Sequence, residues 1–184
     1  MGNFELKHGR PENTEGRLPK EVRVYDFLDE LGIEYDRIDH EPLMTMEACL
    51  EADKVMGSHV CKNLLLCNRQ KTAFYLLMMP GDKKFKTKEL SAQINSARLS
   101  FAEGEDMERL LDITPGSLSV MGLMNDKGKE VRLLIDEDTL AAEDFGCHPC
   151  INTSCIKIKM SDLLNVFLTA VDHDYTSVHL IGED

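Results

Sequence analysis

Three short segments of this sequence carry residue types that can act on a ligand. The first is Cys61-Lys62-Asn63, near the start of the apolar run Val60 to Leu66. A sheet backbone would hold the Lys62 ammonium in place, which suits an anion or ester ligand at a pocket wall. A strand lysine can also snorkel from a sheet edge or pair with one of the many carboxylates. The second segment is Pro115-Gly116-Ser117-Leu118-Ser119-Val120-Met121-Gly122. Its glycines permit conformations that turn amide N–H groups toward a ligand, and the Ser117 and Ser119 hydroxyls add donors. An oxyanion or phosphate cradle and a plain loop are both compatible with it. It lacks the Gly-Lys-Ser/Thr of a P-loop. The third is Gly146-Cys147-His148-Pro149-Cys150-Ile151-Asn152-Thr153, where Cys147 and Cys150 enclose His148 and Cys155 follows closely. Zinc or a redox pair enters here, but a closed zinc site wants four ligands at paired spacing and no second CxxC or HxxxH exists. Neither metal nor cofactor is therefore expected. His148 reads either as a ligand-facing group or as a loop histidine bonded to backbone, and His40, His59, His173 and His179 show no partner pattern.

The rest of the chain bounds what such groups could serve. It has 184 residues, 42% of them hydrophobic and 29% charged, which suits one soluble domain with a real core. The formal charge of −12 argues against broad adhesion to nucleic-acid backbones or anionic membranes. A local cluster, Arg69, Lys71, Lys83, Lys84, Lys86 and Lys88, is either a solvated face or a phosphate track. No apolar run approaches a membrane span and the first residues hold no signal-peptide core, so no membrane partner is expected. The six cysteines then read as cytosolic thiols, and the expected location is cytoplasmic.

The elements that must position these groups follow from spacing. Residues 1–18 read as a mobile arm, 19–172 as the domain and 173–184 as a polar tail. Pro19 opens a helix bearing Val24, Leu28 and Leu31, and Gly32 stops it. Ile33 to Ile38 is extended; Thr45 caps a helix with Met46, Ala48, Leu50 and Val55, which Gly57 ends. Val60 to Leu66 and Ala73 to Met79 read as adjacent strands buried on both faces. Helices are expected over Lys86 to Ile94 and Glu105 to Leu111, with strands over Arg98 to Ala102, Val131 to Ile135 and Cys155 to Ile158. Ser161 is expected to cap a last helix with Leu164, Phe167, Leu168 and Val171 inward. Helices and strands intermix without a strict βαβ repeat, so the expected fold is mixed α+β: a mixed, partly barrel-like β-sheet flanked by helices, in a single domain.

Val60 to Leu66, Thr114 to Leu123 and His148 to Thr153, taken in order, resemble the aminoacyl-tRNA deacylase family related to the editing insertion domain of bacterial prolyl-tRNA synthetase. The likeness runs from Lys20 to Ala170 and is greatest to the free-standing Ala-tRNA(Pro) deacylases. It implies a trans-editing hydrolase that cleaves the ester of mischarged aminoacyl-tRNA, with the tRNA(Pro) acceptor end as partner and prolyl-tRNA synthetase as a second. By position, Lys62 matches the family's essential lysine, near the phosphate or ribose of the terminal adenosine, and Asn63 its following asparagine. Gly116 opens the loop whose amides border the scissile ester, and His148 is the pocket histidine. Ser117, Ser119, Gly122, Pro149, Asn152 and Thr153 are the expected substrate-binding neighbours. Water would be the nucleophile, helped by the adjacent ribose hydroxyl, with Lys62 positioning substrate and pocket size selecting alanine. Val120-Met121 replaces the family's Pro-Phe, which removes a stiffening proline and alters the expected pocket wall; Cys150 stands where asparagine is common. A non-catalytic relative that senses proline or aminoacyl-tRNA is the alternative.

Overall fold

The computed structural model describes residues 4–43, 45–59 and 61–183, with the Met46 side chain left out. The strand opening expected at Val60, the place of Met46 on its helix and the extreme ends of arm and tail lie outside the described residues. Strand β1 (Lys7–His8) pairs with β2 (Asp36–Asp39), so the stretch read as an arm already contributes to a sheet. Helix α1 (Pro19–Glu30) begins with its proline in the first turn and buries Val24, Tyr25 and Leu28. Thr45 caps α2 (Met46–Met56) by accepting from the Ala48 amide, and Gly57 closes it in the left-handed region at φ 63°. The face of α2 differs from expectation: Ala52 and Met56 are buried, whereas Leu50 and Val55 are exposed.

Strands β3 (Cys61–Asn68) and β4 (Phe74–Pro80) pair antiparallel, Lys62 opposite Met79 and Asn63 opposite Met78. Every residue of β4 is buried. Phe74, Leu76 and Met78 face the main core under α1, while Tyr75, Leu77 and Met79 face a second core with Leu90. That is why its apolar run does not alternate with polar residues. Helix α3 (Thr87–Gln93), strand β5 (Leu99–Phe101) and helix α4 (Gly104–Leu111) follow, α4 opened by reciprocal bonds between Glu103 and Asp106. A 3₁₀ turn over Val120–Asn125 leads to β6 (Val131–Asp136), a short α5 (Glu137–Leu140), β7 (Asp144–Cys147) and β8 (Ser154–Lys159).

The last helical segment is not capped by Ser161. It starts with α6 (Met160–Asp162) after Lys159, passes through a π turn over Leu163–Phe167 and ends with α7 (Leu168–Ala170). Leu163, absent from the expected stripe, is fully buried beside Phe167 and Leu168. The stretch read as a polar tail contains β9 (Tyr175–Val178), which pairs parallel with β6 and buries Val178 and Leu180. Parallel pairing to a formed sheet, rather than an apolar run of its own, makes this strand.

The strands form two sheets, ordered β1-β2-β8-β7 and β5-β3-β4-β6-β9. The second is mixed, with β3 antiparallel to β4 and β5, and β6 parallel to β4 and β9. Neither closes into a barrel among the described residues, and helices flank both. Between the sheets, His59 bridges to Phe145 and its carbonyl accepts from the Gly146 amide at 3.3 Å. This brings the start of β3 beside the end of β7.

Candidate functional site

Where β3 meets β7, a cavity of about 340 Å³ opens between the two sheets. Lys62, Asn63, Gly116 and His148 all line it, drawn from β3, the loop after α4 and the turn after β7. Cys61, Leu65, Phe101, Met107, Leu118 and Cys147 add mostly apolar wall, and Cys49 and Asp53 reach it from α2. Ser117, Ser119, Gly122, Pro149, Asn152 and Thr153 stand outside this lining.

Each of the lining groups is held. Lys62 donates from Nζ to the backbone carbonyl of Lys83, and burial holds its ammonium below the usual lysine value against the pull of Asp82. One N–H is thus engaged and two remain for a ligand. The side-chain carbonyl oxygen of Asn63 is buried and has no partner among the described residues. A buried acceptor without a donor is costly, and a substrate N–H or O–H would satisfy it. Gly116 sits at φ +92°, where a side chain would be strained.

His148 Nδ1 lies 2.9 Å from the Ser154 carbonyl, an acceptor only, so this nitrogen carries the proton and Nε2 keeps a lone pair. Burial depresses its basicity and favours the neutral ring. Asp53 is the acid of the cavity. Burial pushes its carboxyl up to about 6, opposed by the Ser58 hydroxyl, which donates to it at 3.1 Å. It is ionised at neutral pH.

The residues outside the lining have other duties. Ser119 accepts from the Met121 amide at 3.2 Å and so caps the 3₁₀ turn. Gly122 lies against Ile113, whose Cδ1 is 2.6 Å from where a Cβ would be. Asn152 makes a two-way bond with the Leu43 backbone at 3.0 and 3.2 Å, and the Thr153 carbonyl accepts from the His40 amide at 3.0 Å. Together they fix the segment that follows β2. Val120 and Met121 are fully buried in the main core, so their substitution for Pro-Phe changes packing beneath the loop rather than the pocket wall.

The basic cluster is also reshaped. Lys71 pairs with Glu103 at 2.8 Å and Asp106 at 2.9 Å, and Lys83 is drawn inward to Asp136 and Asp138. Lys83 therefore belongs to the fold, not to a phosphate track, while Arg69, Lys71, Lys84, Lys86 and Lys88 are exposed.

Sequence reasoning passed over Asp53, Cys49, Phe101 and His40. Asp53 lies on a helix face among other acids, and only the approach of β7 makes it special. His40 reaches the site through pairing: Ile38 sits opposite Cys155 and Asp39 opposite Ser154, which sets the next residue, His40, beside the β8 thiol. Its Nε2 lies 3.3 Å from Cys155 Sγ.

Comparison with known proteins adds to this geometry. Residues 40–166 match the aminoacyl-tRNA editing domain family. The chain is 32% identical over 136 residues to the prolyl-tRNA editing protein ProX of Acetoanaerobium sticklandii, spanning 74% of this chain and 83% of that one. It is 26% identical over 168 residues to prolyl-tRNA synthetase associated domain-containing protein 1 of Xenopus laevis, covering 89% and 98% respectively. A solved structure described as that of a candidate trans-editing enzyme for prolyl tRNA synthetase superposes with a TM-score of 0.66 over 91% of this chain and 99% of the other. At 15% identity that last likeness speaks for the fold alone.

Proposed function

Since the chain belongs to the aminoacyl-tRNA editing domain family, we propose that it hydrolyses the ester of mischarged aminoacyl-tRNA in trans, with Ala-tRNA(Pro) as its substrate. The observation that carries this reading is the convergence of Lys62, Asn63, Gly116 and His148 on one cavity. Ester hydrolysis builds negative charge on the carbonyl oxygen, and fixed N–H donors from the Gly116 loop stabilise such charge without a covalent step. Water attacks the ester, and the ribose hydroxyl beside it assists.

Lys62 keeps two N–H donors for a phosphate or ribose oxygen while the Lys83 carbonyl fixes its direction. The neutral His148 ring offers Nε2 as an acceptor for water or a substrate hydroxyl. An amino acid still attached to tRNA carries a free ammonium, and the ionised Asp53 and the unpaired Asn63 oxygen are the acceptors for it. Phe101, 60% exposed at the cavity and edge-on to Phe85 at 6.0 Å, offers a face on which the terminal base stacks.

The test is release of amino acid from purified Ala-, Ser-, Cys- and Pro-charged tRNA(Pro). Rapid release of alanine, with proline retained, is expected. Equal release of alanine and proline would remove the size-selection part of the reading, and binding without any release would turn it into a sensor.

A further inference from the structure

We propose that His40, His148 and Cys155 form a binding site for a thiophilic divalent cation, zinc in the first instance. One ligand atom from each of the three lies within 4.8 Å of the other two. Cys155 Sγ is 3.3 Å from His40 Nε2 and 3.6 Å from His148 Nδ1. Tetrahedral zinc with Zn–N near ~2.0 Å and Zn–S near ~2.3 Å has nitrogen-to-sulfur edges of about 3.5 Å, which these two gaps match, and the His148 ring has to turn from the Ser154 carbonyl to meet the ion.

The ligands come from the end of β2, the turn after β7 and the start of β8, and β2 and β8 are hydrogen-bonded neighbours. The supporting shell is in place. His40 donates Nδ1–H to the Glu41 carbonyl at 2.8 Å, which leaves its Nε2 lone pair facing the thiol, and the Thr153 carbonyl and Asn152 side chain hold the segment around it. The CxxC pair has no part in it: all six thiols are free, and neither Cys147 nor Cys150 belongs to the cluster. Spacing along the chain could not show this set, because His40 is brought to the other two only by the pairing of β2 with β8.

Loading is a ligand exchange without redox change. The Cys155 S–H bond breaks, its proton goes to solvent and a Zn–S bond forms; His148 gives up its bond to the Ser154 carbonyl, its proton moving to Nε2 as Nδ1 takes the metal, so the zinc-loaded form no longer offers the Nε2 acceptor used in the metal-free deacylase. Three protein ligands leave a fourth position for water or a ligand, and two of the three residues line the cavity.

The experiment uses the full chain stripped of metal and titrated with zinc against a chromophoric chelator, beside Cys155→Ser, His40→Ala and Cys147→Ser. One zinc per chain is expected, weakened about tenfold or more in the first two variants and unchanged in the third. Cobalt(II) should give a thiolate charge-transfer band that only Cys155→Ser abolishes outright. No zinc held by the native chain, or zinc held equally well by Cys155→Ser and His40→Ala, would overturn the proposal. His40→Ala keeps the test open if the buried Cys155→Ser fails to fold. Because no tRNA is present, the outcome is separate from that of the deacylase assay.

Discussion

Lys83 Nζ lies 3.1 Å from Asp136 Oδ1, a carboxylate only 1% exposed, while the carbonyl of the same lysine accepts from Lys62. A buried charge at the end of β6 therefore fixes the backbone that orients a residue of the cavity. Lys83→Met should leave Asp136 without its cation and lower stability by about 3 kcal/mol, read by urea unfolding. Unchanged stability would show the pair to be dispensable.

Lys62→Ala should cut deacylation by about 10²-fold or more while the unfolding midpoint stays close to that of the parent, since this side chain lies at the cavity and not in the core. The rate of amino-acid release from Ala-tRNA(Pro) is the measurement. Full activity in the variant would remove Lys62 from the mechanism.

Asp53 gives a pH signature with a definite sign. Burial raises its folded value to about 6, above that of the unfolded chain, so the protonated carboxyl adds stability at low pH and that stability is lost as pH rises through 6. Asp53→Asn should be more stable than the parent at pH 8 by about 1 kcal/mol, a figure reduced for the partial exposure of the group, with the gap closing near pH 4. Comparing both proteins at one pH cancels the contributions of the depressed His40 and His148, which act in the opposite direction. A gap independent of pH would contradict this.

Phe101→Ala should raise KM for charged tRNA by a factor equivalent to about 1–3 kcal/mol, the loss of one stacked base, with kcat nearly unchanged. A fall in kcat alone would place Phe101 in some other role.

Gly116→Ala should cost about 1–2 kcal/mol, because an added Cβ meets only ordinary contact with Asn152 at 3.6 Å and the penalty is backbone strain at φ +92°. Relief of that strain would displace the loop and lower the deacylation rate as well. Thermal unfolding and the rate, measured together, decide it.

What could be read from the sequence were features with local causes. Pro19, Thr45 and Gly57 mark helix ends through their own backbone chemistry, and β4 declares itself by apolar side chains on both faces. The Lys62, Gly116 and His148 segments were legible as candidates because such residue types are unusual in those settings. What was not legible depends on partners far along the chain. Tyr175–Val178 has no strand pattern until β6 is beside it, Lys83 looks like a surface cation until Asp136 is placed, and His40 is one histidine among six until β2 pairs with β8. Ser161 misled because a hydroxyl near a helix start reads as a cap, whereas the helix begins one residue earlier.

The bond from Lys83 to the Leu180 carbonyl spans 97 residues, and Gln93 meets the His179 backbone across 86. During synthesis, β3 and β4 emerge and can pair long before these partners exist. The loop that carries the Lys62 anchor waits 53 residues for Asp136 and completes its bonds only with the Leu180 carbonyl, roughly half a chain later. The cavity thus acquires its rim last, so a nascent or shortened chain would display the sheet before it could hold the lysine.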